Sequence, residues 1–238
     1  MVEVNPGRAI WAILYDLKES SHDDYMRWFH GLHIPEKLAR DGYEWAGHYR
    51  IEKRVARSGA AARERSAGND GSVLTGKQYI ALFGGRSTAT FLDPSPKQLK
   101  VLQDDETKQM IGCRVTPAGF VFAEEWRAMG RAAGDAQPPR VIELEVFDTG
   151  QDDEDTGVWC AQKRRAPFVA DEGCILMQKL LASSGPAKHA ALYGYDSLER
   201  AVEHTDVVAR AIAQSPLADV TILPGNDAVF ATRIWPPF

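Results

Sequence analysis

The two halves of this chain carry the same short sequence patterns in the same order. Gly7-Arg8-Ala9-Ile10 running to Asp16 is matched by Pro139-Arg140-Val141-Ile142 running to Asp148. Trp28 and Gly42 are separated by the same interval as Trp159 and Gly173. Ala81-Leu82-Phe83-Gly84 returns as Ala191-Leu192-Tyr193-Gly194, and Val121-Phe122-Ala123 as Val229-Phe230-Ala231. An ordered set of matches of this kind is the mark of a repeat and fixes the architecture before any single element is assigned.

Each half reads strand, helix, strand, strand, helix, strand. Period-two and continuous apolar runs predict strands over 9–16, 44–53, 77–84 and 118–126, then 140–148, 174–182, 188–194 and 226–235. Apolar stripes of helical period predict helices over 22–40, 87–110, 155–171 and 196–214. Ser197 is placed as a helix N-cap, with Glu199 and Glu203 following. The expected fold is therefore α+β: tandem ferredoxin-like βαββαβ repeats, residues 1–130 and 138–238, forming a pseudo-dimeric α/β barrel. A four-stranded sheet of this type is covered by helices on one face only, and a fused second copy covers the other. The long connection Ala56–Gly76 is rich in Gly, Ser, Ala and Arg, holds no aromatic residue, and is expected to be disordered. A second linker spans Gly130–Pro139.

Charge narrows the function. A formal net charge of −5 and a pI near 5.7 argue against a general nucleic-acid binder, which needs a basic face. The three cysteines, Cys113, Cys160 and Cys174, show no CxxC or Cys/His metal spacing, so no metal centre is expected. Met1-Val2-Glu3 lacks a basic leader, and no apolar run approaches the ~18 residues of a membrane span. The expectation is a cytoplasmic protein with no membrane partner, acting as a monomer or homodimer.

Alternation within the strands suggests which side chains line the barrel. In Val141–Phe147 the aliphatic set Ile142, Leu144 and Val146 suits a helix layer, which points Glu143, Glu145 and Phe147 into the interior. The repeat assigns Trp11, Ile13 and Tyr15 to the facing inner wall. Charges are seldom buried unless paired or hydrated, so the two glutamates either line a ligand cavity or sit at the barrel mouth, solvated or paired with Arg50 or Lys179. On the second strand Trp45, Tyr49 and Ile51 share the greasier face, leaving His48 and Arg50 to the lumen.

The stretch with most chemistry is Tyr25-Met26-Arg27-Trp28-Phe29-His30-Gly31-Leu32-His33-Ile34-Pro35. Tyr25, Trp28, Phe29 and Leu32 fall on one helical face; His33 lies at its edge and His30 is turned further toward solvent. Pro35 is expected to kink or end the helix just after His33, aiming that residue at the barrel mouth. Trp28, His33 and Pro35, followed by a Gly and the strand Gly47-His48-Tyr49-Arg50, resemble the EthD-like branch of the dimeric α/β-barrel proteins. That resemblance implies a pocket between the sheet and the first helix, with His33 as the functional histidine and His48 as its neighbour. In the second half Arg164 stands opposite His33, leaving at most one histidine site.

These residues describe a small-molecule enzyme using cofactor-free acid–base chemistry on an apolar or aromatic carbonyl compound. The chemistry is of isomerase, cyclase or monooxygenase type. His33, His48 and Tyr15 are the candidate catalytic groups, and Trp11, Arg50, Glu143, Glu145 and Phe147 the candidate substrate contacts. The alternatives are a binding protein without turnover and, less favoured, a haem-binding barrel. His204 would be the nominal axial ligand, although it lies off the apolar stripe of its helix.

Overall fold

The structure, a computed structural model, describes residues 8–56, 63–64, 73–132, 138–214 and 227–237. β1 (Ala9–Leu17) leads into α1 (His22–Trp28), a π-helical turn (Phe29–His33) and α2 (Ile34–Leu38). Next come β2 (Tyr43–Ala56), β3 (Arg63–Glu64), β4 (Tyr79–Gly85), α3 (Ala89–Leu92), α4 (Pro96–Leu102), α5 (Asp105–Ile111) and β5 (Arg114–Met129). The second half supplies β6 (Val141–Phe147), α6 (Asp153–Val158), a π turn (Trp159–Arg164), α7 (Arg165–Ala170), β7 (Cys174–Ser184), β8 (His189–Tyr195), α8 (Leu198–Gln214) and β9 (Asp227–Trp235). Asp152 caps α6, its carboxylate accepting from the Asp155 amide at 2.9 Å, and Ser197 Oγ accepts from the Arg200 amide at 3.2 Å.

The sheet order is β3-β2-β4-β1-β5-β7-β8-β6-β9, and β2 also pairs with β9. The result is an α+β fold built on a closed eight-strand antiparallel barrel, with β3 appended to β2. The two seams between the halves are β5 against β7, with Ala123 opposite Leu181, and β2 against β9, with Tyr49 opposite Arg233. Closure removes every long sheet edge.

The barrel faces are the reverse of those expected from alternation. Ile10, Ala12, Leu14, Tyr49, Ile80, Leu82, Phe120, Phe122, Ile142, Leu144, Val146, Leu180, Leu192 and Val229 form one buried cluster drawn from both halves, which fills the lumen. Trp11, Ile13 and Tyr15 face outward, under the first helix layer, with Trp28 and Phe29. Phe147 faces the second helix layer with Trp159 and Phe168, and Glu143 and Glu145 lie on that same side of β6, paired to Tyr195 and Arg164. His48 likewise leaves the lumen to Tyr49 and meets the helix side. The physical reason is polarity. A lumen ringed by strands offers an inward carboxylate no helix side chain as partner, so the aliphatic face goes there and polar side chains go where helices can pair them.

Two helices also depart from expectation. The helix expected over 87–110 is three short ones, because Pro94 and Pro96 interrupt it. Ser95 restarts the chain with a reciprocal capping box to Gln98, and Asp104 caps α5. The first helix does not end after His33: Ile34 keeps α geometry at φ −64°, ψ −48°. The π turn before it absorbs the extra backbone width, so Pro35 enters without a break.

The expectation of disorder over Ala56–Gly76 fails where the segment is described. Val55 pairs with Glu64, and Leu74, 1% exposed, inserts into the lumen cluster. Residues 57–62 and 65–72 lie outside the described set.

Candidate active site

The π turn decides where the histidines point. It carries His30 and His33 across the outward face of β1, β2 and β4, and such turns recur at functional sites. His33 is buried, stacked on the Trp28 ring at 4.5 Å between centroids and 5.6 Å from the Phe29 ring. It opens into a cavity of about 120 Å³ together with Trp11 from β1 and Lys37 from α2. α4, α5 and the chain between and after them close the cavity with Leu99, Gln103, Ile111 and Arg114.

Three cationic or basic groups thus converge on one apolar floor. The Lys37 ammonium lies 5.5 Å from the Trp11 ring centroid, and the Lys37 residue is 3% exposed. Arg114 donates from Nε to the Tyr25 hydroxyl at 2.8 Å, and its guanidinium lies 4.8 Å from the Tyr15 ring centroid. Its Nη2 is buried and, like the buried Gln103 Oε1, has no hydrogen-bond partner among the described residues. Unmatched buried polar atoms lining a cavity are groups a ligand can satisfy.

Burial and the neighbouring Lys37, Arg114 and Arg40 charges lower His33 to about 3, so its ring is neutral at neutral pH. Burial and the Arg40 and Arg114 charges lower Lys37 to about 8. The cavity therefore offers a neutral imidazole, a fixed guanidinium and an ammonium that gives up its proton just above neutrality.

A second feature runs behind the cavity. The Tyr15 hydroxyl is 2.8 Å from His48 Nε2, and His48 Nδ1 is 2.7 Å from His30 Nε2. His48 is fully buried while His30 is half-buried, so the chain leads from beneath Arg114 toward the surface. Burial keeps both imidazoles neutral, holding His30 near 4 and His48 well below its ordinary value. Trp235 of β9 stacks over His30 at 6.3 Å.

Of the residues expected at the site, His33 and Trp11 line the cavity, while Tyr15 and His48 stand behind it as one hydrogen-bonded pair. Arg50 does not join them: it is exposed on β2 and bonds Glu52 at 3.1 Å. Glu143, Glu145 and Phe147 belong to the other helix layer. There Glu145 pairs with Arg164 at 2.6 Å and Glu143 accepts from the Tyr195 hydroxyl at 3.1 Å, whereas Lys179 turns to Glu125 at 2.6 Å. His204, expected off the apolar face of α8, is 1% exposed and packs edge-on to Phe168. The inward face of α8 is wider than its aliphatic stripe.

Lys37, Arg114, Gln103 and His30 were not picked out from sequence. Lys37 carries a readable signal, lying one helical turn beyond His33 on the same face. Arg114 carries none, because only the fold brings the start of β5 to α2.

No protein-family model and no curated protein matches the sequence. Solved structures do match it in fold. A protein named "putative monooxygenase" from Fusobacterium nucleatum superposes with a TM-score of 0.58 at 10% identity, over 96% of this chain and 93% of that one. A protein of the same description from Lactobacillus acidophilus gives 0.54 at 12% identity, over 95% and 94%. An anthrone oxidase-like protein gives 0.54 at 9% identity, over 97% and 92%. The chain shares with them its fold, a closed antiparallel barrel flanked by helices.

Proposed function

We propose that this chain is a small-molecule enzyme of the dimeric α/β-barrel type, which binds a compact carbonyl compound in the His33 cavity and moves a proton on it without a cofactor. The observation that carries the reading is the convergence of the buried His33 and Lys37 with Arg114 on one cavity floored by Trp11. At about 120 Å³ the space is well below the ~300 Å³ at which drug-sized pockets begin. It favours a ligand of few atoms, with one small ring at most.

Arg114 Nη2 and the Lys37 ammonium hold the carbonyl oxygen, or a carboxylate beside it, and stabilise the negative charge an enolate develops. His33 accepts the proton. Burial and the surrounding cations both keep its imidazolium unfavourable; an anion lying between Lys37 and Arg114 offsets the cationic part, so His33 is a stronger base toward an anionic ligand than in the free site. Returning the proton to another carbon is isomerisation. Attack of the enolate on a second carbonyl is cyclisation; its capture by dioxygen gives, after protonation, a hydroperoxide that loses water with the carbon's remaining hydrogen to leave a new carbonyl, the monooxygenase-like outcome.

The finer reading is of a tandem EthD-like fusion, with one unit over residues 1–130 and a degenerate one over 138–238. Its support is the recurring sequence patterns, the matching strand order in each half, and π turns beginning at or beside Trp28 and Trp159. The chain is read as a cytoplasmic monomer or homodimer.

The test is exchange of solvent deuterium into small 2-oxo acids and cyclic enones, followed by NMR, with wild type and His33→Ala. Wild type should label the carbon beside the carbonyl, and the variant should still bind yet label about 10²–10⁴-fold more slowly. Equal labelling by both proteins overturns the assignment. Binding without labelling by either identifies the site as a non-catalytic ligand pocket.

A further inference from the structure

We propose that Asp171, Cys174 and His204 form a site for one tetrahedrally coordinated transition-metal ion, zinc(II) by preference, which ties the end of α7, the start of β7 and α8 together. This site lies in the second half and is independent of the His33 cavity. The three side chains each offer one ligand atom, and these atoms all lie within 4.8 Å of one another.

The spacing is the first argument. His204 Nδ1 is 3.7 Å from Cys174 Sγ and 3.2 Å from Asp171 Oδ2. Zinc holds sulfur at about 2.3 Å and nitrogen or oxygen at about 2.0–2.2 Å, which puts neighbouring ligands of a tetrahedron about 3.3–3.7 Å apart. The two separations from His204 are close to the edges of such a tetrahedron, and Asp171 and Cys174 lie within 4.8 Å of each other.

The crowding at one nitrogen is the second. Both partners approach Nδ1, which can carry a single proton and so donate fully to only one of them. Neither partner uses the other ring nitrogen: Nε2 is buried without a hydrogen-bond partner among the described residues. A Cys–His–Asp nucleophilic relay would use the two ring nitrogens separately. Here they are not so used, and Cys174 is fully buried.

The ligand set is also held in place. The Gly173 amide donates to Asp171 Oδ1 at 2.9 Å, leaving Oδ2 for the ion, and Phe168 and Tyr195 pack against the His204 ring at 5.4 and 5.7 Å. The Asp171 side chain is 16% exposed, so the fourth position opens toward solvent and takes water. One thiolate, one imidazole and one carboxylate suit zinc(II) better than the hard ions magnesium and calcium.

The experiment uses the full chain, stripped with a chelator and titrated with cobalt(II) as a coloured probe and with zinc(II) against a competing chelator. One equivalent of cobalt should bind with a sulfur-to-cobalt charge-transfer band and the intense visible bands of a tetrahedral site. Cys174→Ser should lose the sulfur band, whereas Cys113→Ser and His33→Ala should keep it. Asp171→Asn and His204→Gln should weaken zinc binding more than about 10-fold. A folded wild type without the sulfur band, or a band that survives Cys174→Ser, overturns the site. If Cys174→Ser does not fold, the partly exposed Asp171→Asn decides: unchanged zinc affinity there means an adventitious ion only.

Discussion

Arg164 meets Glu145 at 2.6 Å in the second helix layer, at the place along its helix that His33 occupies in the first. Both partners of this pair are almost wholly enclosed, with side chains 5% and 2% exposed. Removing one partner strands the other charge. Glu145→Ala should therefore cost about 3–5 kcal/mol, whereas Arg164→Met combined with Glu145→Leu should be near neutral or stabilising. Urea unfolding of the single and double variants measures the difference.

The histidines under the first helix layer make the fold acid-sensitive. Burial holds His33 near 3, His30 near 4 and His48 well below its ordinary value, whereas in the unfolded chain each titrates near 6.5. Between those values the unfolded state binds more protons, so stability is full above about pH 6.5 and falls as pH drops toward 3. For the enclosed His33 alone the loss is on the order of a few kcal/mol. Thermal unfolding across this range should show a steep slope, made shallower by His33→Gln or His48→Gln. A flat profile in wild type would contradict the enclosed, neutral rings.

Lys37 sets an upper pH limit on ligand binding. It is lowered to about 8, so its charge is present below that value and lost above it. Affinity for an anionic ligand should fall as pH rises through about 8, and Lys37→Met should remove that fall. Arg114→Met should weaken binding on both sides of that fall, because it removes the second group facing the anion. Calorimetric titration with the 2-oxo acids used in the exchange test reads both.

Leu74 lies in a turn of the long connection yet fills barrel space. Leu74→Ala should cost about 2–5 kcal/mol, the figure for a core leucine, rather than the ~0.5 kcal/mol of a surface position. Denaturant midpoints distinguish the two.

The strands and their order were legible because apolar alternation marks each strand and the recurring sequence patterns place them in the same order in both halves. Which face turned inward was not. Alternation in Val141–Phe147 shows that two faces differ, but Glu143 and Glu145 could be placed only by knowing that Tyr195 and Arg164 arrive from elsewhere to meet them. The Trp28–His33–Pro35 pattern led to the right stretch of chain. His30, turned toward solvent by a 3.6-residue period, instead bonds His48, because the π turn changes that period. Arg114 and Gln103 were invisible for a different reason: nothing near them in sequence announces a site, and only tertiary packing brings them to His33.

The seam between β2 and β9 has a consequence for how the chain reaches this state. β2 closes only against a strand that follows all the others described, so the aliphatic lining contributed by Ile10, Leu14 and Ile80 stays uncovered while the rest is made. Long-range closure of this kind is slow, and a nascent chain paused before β9 presents an open, sticky trough. Trp235 reaches His30 only with that strand, so the histidine pair under the first helix layer is covered when β9 docks on β2.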